Sequence, residues 1–217
     1  VDANELEKIL CTQNKSRASV ARDINVGSKV SVNLASGDAV AINTVGTTMA
    51  KLTPTPTPAI DEQGYYMLGE VNGNGWDNTN PEWMTKVSDG VYQLKVTTEK
   101  DKNWFKFYEG SKFVSGDWDA INSGALGCKE NGCEDASGYI YFTGDKWGEL
   151  QTIVIPGAGT WIVTLDMNNL SYSVGKPILY MAGDANGWKQ IDVLNSDDGV
   201  HFTGYMYLNQ KGFKFST

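Results

Sequence analysis

The sequence predicts an all-β protein made of tandem β-sandwich modules. Three observations predict this fold: the aromatic residues are confined to one part of the chain, apolar and polar residues alternate there, and a set of short motifs occurs twice. Alternation with a period of two is typical of strands that bury one face. Gly, Asn and Asp turns recur about every eight to twelve residues, which is the spacing of an antiparallel sandwich.

The N-terminal part of the chain has few large apolar side chains with which to form a core. None of the 24 aromatic residues (7 Trp, 10 Tyr and 7 Phe) lies in residues 1–63. A short helix is predicted at residues 3–10, and two strands at residues 29–34 and 43–52. So few large apolar side chains make a thin core. We therefore expect residues 1–52 to be part of an immunoglobulin-like domain.

An alternating Thr-Pro tract separates this part from the aromatic part. It runs from Thr53 to Pro58. Proline fixes φ and favours an extended, semi-rigid chain. The tract predicts a linker at residues 53–63.

One segment of the aromatic part shows the alternation clearly. In the run from Trp104 to Tyr108, Phe105 and Phe107 face one way, whereas Trp104, Lys106 and Tyr108 face the other. We expect the two phenylalanines to enter the core. The opposite face remains available to a ligand.

The motifs Tyr-Met-x-Gly, Asn-Gly-Trp, Asp-Gly-Val and Phe-Lys-Phe occur twice in the same order. The copies begin at Tyr66 and Tyr180, a period of about 114 residues that suits one small sandwich each. We predict a complete module at residues 64–176 and an incomplete second module at residues 177–217. Because half a sandwich leaves an apolar face uncovered, we expect its remaining strands to follow in a longer protein. The first copy has two extra residues before its Asn-Gly-Trp.

Charge excludes polyanionic partners. The chain has 18 Lys plus Arg against 26 Asp plus Glu, a net charge of −8 and a pI near 4.7. Nucleic-acid binding needs a basic surface, and anionic lipids would also be repelled. No stretch reaches the ~18 apolar residues of a membrane-spanning helix. We therefore expect a neutral ligand and no nucleic acid.

The cysteines are Cys11, Cys128 and Cys133. An odd number in a short chain is not a disulfide framework, and the spacing fits neither a redox Cys-x-x-Cys pair nor a zinc site. Two interpretations of Cys128 and Cys133 remain open. They form a local disulfide that closes an Asn-Gly turn, or they are two free thiols.

Catalytic and cofactor motifs are missing from the sequence. The single histidine, His201, occupies the repeat position of Tyr92, so we expect it to pack rather than to act as a base. Residues 195–199 come nearest to a calcium loop, but a hairpin turn is the simpler interpretation. We predict no enzyme activity, no cofactor and no metal site.

The tryptophans suggest what the chain binds. Six of the seven lie in the complete module, which is more than a small core can hold, so several should be exposed. An exposed indole suits a sugar ring, whose C–H face stacks on it. Trp76 and Trp118 lie in loops beside Gly and Asp, which favours a role as platforms on which a sugar stacks. For Trp83 and Trp104, the sequence leaves open whether the indole is such a platform or packs in the core. Lys106 can donate hydrogen bonds to sugar hydroxyls.

These motifs, in this order, resemble the SusE/SusF-type starch-binding surface lipoproteins of Bacteroidetes. The resemblance rests on the Tyr-Met-x-Gly, Asn-Gly-Trp, Asp-Gly-Val-Tyr, Phe-Lys-Phe, Gly-Asp-Trp-Asp and Gly-Thr-Trp segments. Residues 1–58 are similar to the end of that family's N-terminal immunoglobulin-like domain. The resemblance implies starch-binding carbohydrate modules after it.

The family resemblance implies non-catalytic capture of α-glucan at the outer face of the outer membrane. It implies a lipid anchor outside this chain, a TonB-dependent importer and that importer's partner surface lipoprotein. Carried over by position, the aromatic clamp falls on Trp76 and Trp118 and the lysine on Lys106, with Trp188 and Lys214 in the second copy. Trp83 is an alternative to Trp76. The alternative functions are a structural spacer of the importer complex, or binding of another neutral polysaccharide.

Overall fold

The computed structural model describes residues 2–37 and 39–216. Its contacts divide the chain into two compact units, Val1–Pro58 and Ala59–Thr217. Within the described residues no helix has the length and apolar character needed to cross a bilayer.

The first unit is a helix followed by a long hairpin. Helix α1 (Ala3–Asn14) begins after Asp2, whose carboxylate accepts hydrogen bonds from the N–H groups of Asn4 (2.7 Å) and Glu5 (3.3 Å). It ends at Asn14, four residues beyond the predicted end, and Lys15 caps it in the left-handed conformation. Strands β1 (Arg22–Asn33) and β2 (Ala39–Leu52) pair antiparallel and also extend further than predicted.

The second unit consists mainly of short strands. In chain order they are β3 (Tyr65–Gly69), β4 (Glu82–Trp83), β5 (Thr85–Ser88), β6 (Val91–Thr98), β7 (Lys102–Glu109), β8 (Ala125–Gly127), β9 (Ser137–Tyr139), β10 (Tyr141–Phe142), β11 (Ile153–Pro156), β12 (Gly159–Asp166), β13 (Ser171–Gly175), β14 (Ile178–Gly183), β15 (Asp192–Asn195) and β16 (Phe213–Ser216). A short helix, α2 (Trp118–Ser123), precedes β8. Two 3₁₀ turns occur at Gly110–Lys112 and Asp184–Asn186.

Two antiparallel sheets form a sandwich. One has the strand order β10-β8-β7-β3-β4, with β11 also paired to β7, and the other has the order β5-β6-β12-β13-β9. The core between them takes Phe105, Phe107 and Met67 from the first sheet and Val96 and Val163 from the second. The all-β class predicted from the sequence is confirmed. Strands β12 and β13 pair as an antiparallel hairpin in the second sheet.

Strand β7 shows the predicted alternation. Phe105 and Phe107 are fully buried in the sandwich core, while Trp104, Lys106 and Tyr108 lie on the outer face of the sheet. The alternation fixes which side chains stand on the surface outside the sandwich.

The outer face of this sheet carries a second apolar cluster, which we call the outer cluster. It consists of the buried residues Tyr66, Leu68, Tyr108, Ile121 and Ala125, with Trp76, Phe113 and Leu150 packed against them. Helix α2 contributes Ile121. Strand β3 is therefore buried on both faces.

The second copy repeats the strand register of the first. In β3 and β7, Leu68 pairs with Lys106; in β14 and β16, Ala182 pairs with Lys214. The repeat read from the sequence is thus also a repeat of structure. The burial differs, since Phe213 and Phe215 are 47% and 51% exposed where Phe105 and Phe107 are fully buried.

Candidate functional site

Trp76 lies in a tight turn after β3. Gly75 and Trp76 both have positive φ, 60° and 68°, and the Trp76 N–H donates to the Gly69 carbonyl at 3.4 Å. Positive φ is uncommon for a bulky residue, so the surrounding turn must hold it. The Asn74 side chain does so, donating from Nδ2 to the Asn80 carbonyl at 2.7 Å. The indole is half-buried and packs against the outer cluster.

Trp188 repeats this geometry in the second copy. Its φ is 63°, and its N–H donates to the Gly183 carbonyl at 2.8 Å. The Asn-Gly-Trp motif therefore builds the same left-handed turn twice. Trp188 is 52% exposed, and Lys214 is exposed as well.

Trp118 is the first residue of α2. The Asp117 carboxylate caps this helix, accepting from the N–H groups of Asp119 and Ala120 at 3.0 Å each. Trp118 is 38% exposed, and Ile121, one turn later, is buried in the outer cluster. The cap and the buried isoleucine anchor the helix that carries the indole.

The loops that carry Trp76 and Trp118 meet. The Gly116 N–H donates to the Asn78 carbonyl at 3.5 Å, which joins the segment before Trp118 to the segment after Trp76. Both loops also reach the outer cluster, one through Trp76 itself and the other through Ile121. The structure thus brings two of the predicted platforms to one side of the sheet.

Lys106 stands on the same face. It lies opposite Leu68 on β3 and between Trp104 and Tyr108 on its own strand. Burial lowers the pKa of its ammonium. Among the described residues the ammonium has no hydrogen-bond or ion-pair partner. A half-buried charge without a partner is costly, so Lys106 is a donor that a ligand can satisfy.

Trp83 lies at the edge of the same sheet, on β4. It is 45% exposed and packs against Tyr66 and Phe113, with ring centroids 5.1 and 5.8 Å away. Tyr66 in turn stacks on Tyr108 at 5.5 Å. Its buried hydroxyl has no partner in the described part of the chain. Trp83 and Trp76 therefore flank the outer cluster, and both remain candidates.

Trp104 is partly buried, whereas Trp83, Trp118 and Trp188 are exposed. A Cβ on Gly132 would lie 2.8 Å from its ring, so the ring packs directly on the glycine backbone of the Cys128–Cys133 loop. This contact gives Trp104 a packing role at the border of the outer sheet face that carries Lys106.

The disulfide interpretation of that loop requires correction. Cys128 and Cys133 are free thiols, and both donate to the Glu130 carbonyl, at 3.0 and 2.8 Å. Burial raises the pKa of the Cys128 thiol to about 12. The hydrogen bonds to Glu130 close the Asn-Gly turn without a covalent bond.

Two other tryptophans serve packing. Trp147 is buried beside Tyr139 and Tyr141. Trp161 packs against the sandwich core, donates from Nε1 to the Thr98 hydroxyl at 3.1 Å and lies under the Lys176 ammonium at 3.9 Å. Neither presents a free face to a sugar.

His201 is not packed as expected. Tyr92 is buried against Tyr65, but His201 is exposed and its Nδ1 lies 2.6 Å from the Asp198 carboxylate. The same carboxylate accepts from the N–H groups of Val200 and His201. The contact with the His201 side chain, followed by these two backbone hydrogen bonds, holds the pKa of Asp198 well below its usual range. Asp198 thus stabilises a turn, closed by the pairing of Asn195 with Thr203. The hairpin interpretation is confirmed, and the described residues contain no cluster suited to a metal ion.

The outer cluster was not predicted from the sequence. The signal was present in β3, where Tyr-Tyr-Met-Leu is a continuous apolar run rather than an alternating one. Such a run indicates a strand covered on both faces.

A sandwich that carries exposed indoles and a half-buried lysine ammonium on one outer face has the features of a carbohydrate-binding module. The comparison with protein families agrees: the family described as "SusF, first starch specific CBM" matches residues 59–176. "Outer membrane protein SusF, N-terminal domain" matches residues 1–54. Because the first match covers more than half of the chain, the chain belongs to the SusF family.

The chain is also similar to individual members. It is 28% identical over 222 residues to the outer membrane protein SusF of Bacteroides thetaiotaomicron, covering 94% of this chain and 43% of that protein. The crystal structure of SusF from the same organism matches with a TM-score of 0.65 at 26% identity, covering 87% of this chain and 41% of that one. The chain therefore spans less than half the length of these relatives.

Proposed function

We propose that this chain is a non-catalytic glycan-binding protein that captures starch-like α-glucan at the cell surface. The observation that carries the proposal is the meeting of the Trp76 and Trp118 loops on the sheet face where Lys106 has no partner for its ammonium among the described residues. The indoles supply apolar planes for the C–H faces of glucose rings. Lys106 donates to their hydroxyls and gains the partner that it lacks.

The family match supports starch as the ligand. Its description names a starch-specific carbohydrate-binding module over residues 59–176. The acidic chain, with a net charge of −8, also favours a neutral polysaccharide over an anionic one. We therefore propose α-glucan in preference to other neutral polysaccharides.

The other candidate residues have different roles in this proposal. Trp83 is the alternative platform to Trp76, because both contact the outer cluster and both have exposed surface. Trp104 borders the site. Trp188 and Lys214 form a second site with the same turn and the same strand register.

The names of the relatives guide the proposal for the cellular setting. We propose an outer-membrane location with surface exposure through a lipid anchor, and a role beside a TonB-dependent importer and its partner lipoprotein. The relative is called an outer membrane protein. We also propose the domain division 1–52, 53–63, 64–176 and 177–217, which the repeat and the Thr-Pro tract support.

Affinity electrophoresis in gels containing amylopectin tests the proposed function. We expect the wild-type chain to be retarded relative to a gel without polysaccharide. Trp76→Ala and Trp83→Ala distinguish the two platforms, because only the variant that removes the true platform should lose most of the retardation. An unretarded wild-type chain would contradict α-glucan binding and favour a spacer role. We expect no release of reducing sugar from soluble starch.

A further inference from the structure

The two-residue extension of the first copy forms a loop that the second copy lacks. Between Gly69 and Trp76 the chain makes a wide loop, whereas the Gly183–Trp188 turn is two residues shorter. Hydrogen bonds of the Asn186 side chain close the shorter turn, since this side chain accepts from the Gly183 N–H and donates to the Met181 carbonyl.

The longer loop is held in place at three points. Val71 is fully buried in the sandwich core. The Asn72 N–H donates to the Thr97 carbonyl at 2.9 Å, and the Thr97 N–H donates to the Asn72 side chain at 2.7 Å. Glu70 accepts from the Trp104 N–H. The loop is therefore preorganised before any ligand binds.

Between this loop and the turn from β6 to β7 lies a cavity of about 300 Å³. This volume is at the small end of the ~300–1,000 Å³ range of ligand pockets, as expected of a subsite for a single sugar unit. Its lining includes Glu70, Gly75 and Trp76 from the loop, and Thr97, Glu99 and Lys100 from the end of β6 and the turn that follows it. Trp76 thus contacts the outer cluster and also lines the cavity.

The polar groups of the cavity suit a neutral hydroxylated ligand. The Glu70 carboxylate lies 2.6 Å from the Lys100 ammonium, and this contact lowers the pKa of Glu70. A carboxylate accepts hydrogen bonds from hydroxyl groups and an ammonium donates to them. With Glu99 the lining carries two carboxylates and one ammonium, so an anionic sugar would be repelled.

We infer that this cavity is an additional sugar subsite, in which one further neutral glucose unit of the chain bound at Trp76 contacts Glu70 and Lys100. The inference rests on the proposed function and extends it. Of the two copies, only the first module has this subsite, because the second copy lacks the two-residue extension that forms its wall. The first module therefore distinguishes longer from shorter α-glucans.

Titration calorimetry with maltotriose and maltoheptaose tests the subsite. Thr97→Phe fills the cavity, and Thr85→Phe places the same side chain at an exposed strand position outside it. Lys100→Ala removes the ammonium, and Lys102→Ala is its matched control, since both lysines are similarly exposed and paired with a glutamate. We expect Thr97→Phe and Lys100→Ala to weaken maltoheptaose binding about fivefold or more.

The affinities of the wild-type chain and of the four variants for the two oligosaccharides decide whether the subsite exists. Maltotriose affinity and the two control variants should change less than about twofold, with unaltered melting temperatures. Wild-type affinity for maltoheptaose in both Thr97→Phe and Lys100→Ala would overturn the subsite and leave the proposed function intact. A wild-type chain that binds neither maltoheptaose nor amylopectin would overturn both.

Discussion

Replacement of Trp118 by alanine tests the proposed glycan site most directly. The indole is 38% exposed, and a tryptophan side chain presents about 250 Å² in all, so about 95 Å² is available to a sugar. Covering half to all of this area at ~25 cal/mol per Å² contributes about 1–2 kcal/mol. Trp118→Ala should therefore raise the Kd roughly five- to thirtyfold.

The measurement is affinity electrophoresis over a series of amylopectin concentrations, which returns a Kd for each variant. Val114→Ala is the control, because Val114 is an exposed apolar residue of the preceding segment, at 49% exposure, and offers no aromatic plane. Melting temperatures must be compared as well, since Ile121 on the same helix packs in the outer cluster. A folded Trp118→Ala chain with wild-type retardation would refute the assignment of Trp118 to the site.

Two further predictions concern the sheet itself. Lys106→Met should weaken amylopectin binding yet raise the melting temperature at pH 7 by about 1–2 °C, because burial disfavours the ammonium. In the wild type that ammonium loses its proton at lower pH than an ordinary lysine. As the pH increases through this lowered pKa, the glycan affinity should therefore fall and the folding stability should rise. A Lys106→Met chain whose affinity and stability vary with pH as in the wild type would contradict this. Phe107→Ala should cost about 3–5 kcal/mol of unfolding free energy in a urea titration, whereas its repeat counterpart Phe215→Ala, at a half-exposed site, should cost less than about 1 kcal/mol. Equal costs would contradict the difference in burial between the two copies.

Much of the fold could be read from local sequence patterns. The alternation around Phe105 and Phe107 and the Asn-Gly-Trp turns depend on residues close together in the chain, so they were predictable. The structure confirms the buried phenylalanines, and the two copies share one strand register. Element lengths were less accurate: α1 runs on to Asn14, because its end is set by the left-handed Lys15 rather than by the apolar pattern.

Other features depend on contacts between distant segments. The thiols of Cys128 and Cys133 share the Glu130 carbonyl, which their spacing alone did not reveal. His201 is exposed although its repeat counterpart Tyr92 is buried, because a position in a motif does not determine what packs over it. The outer cluster was likewise missed, since it assembles side chains from three strands, a helix and three loops.

The sequence by itself determined the class of fold, the tandem repeat, the resemblance to SusE/SusF-type proteins and a short set of tryptophans suited to sugars. These follow from composition, from periodicity and from the order of short motifs, all of which are properties of the chain. Only the tertiary structure decided which tryptophans lie together, that Lys106 has no partner beside them in the described part of the chain, and that the extra residues before Trp76 line a cavity. Burial and the approach of side chains result from packing between segments far apart in sequence, and a local pattern does not contain that information.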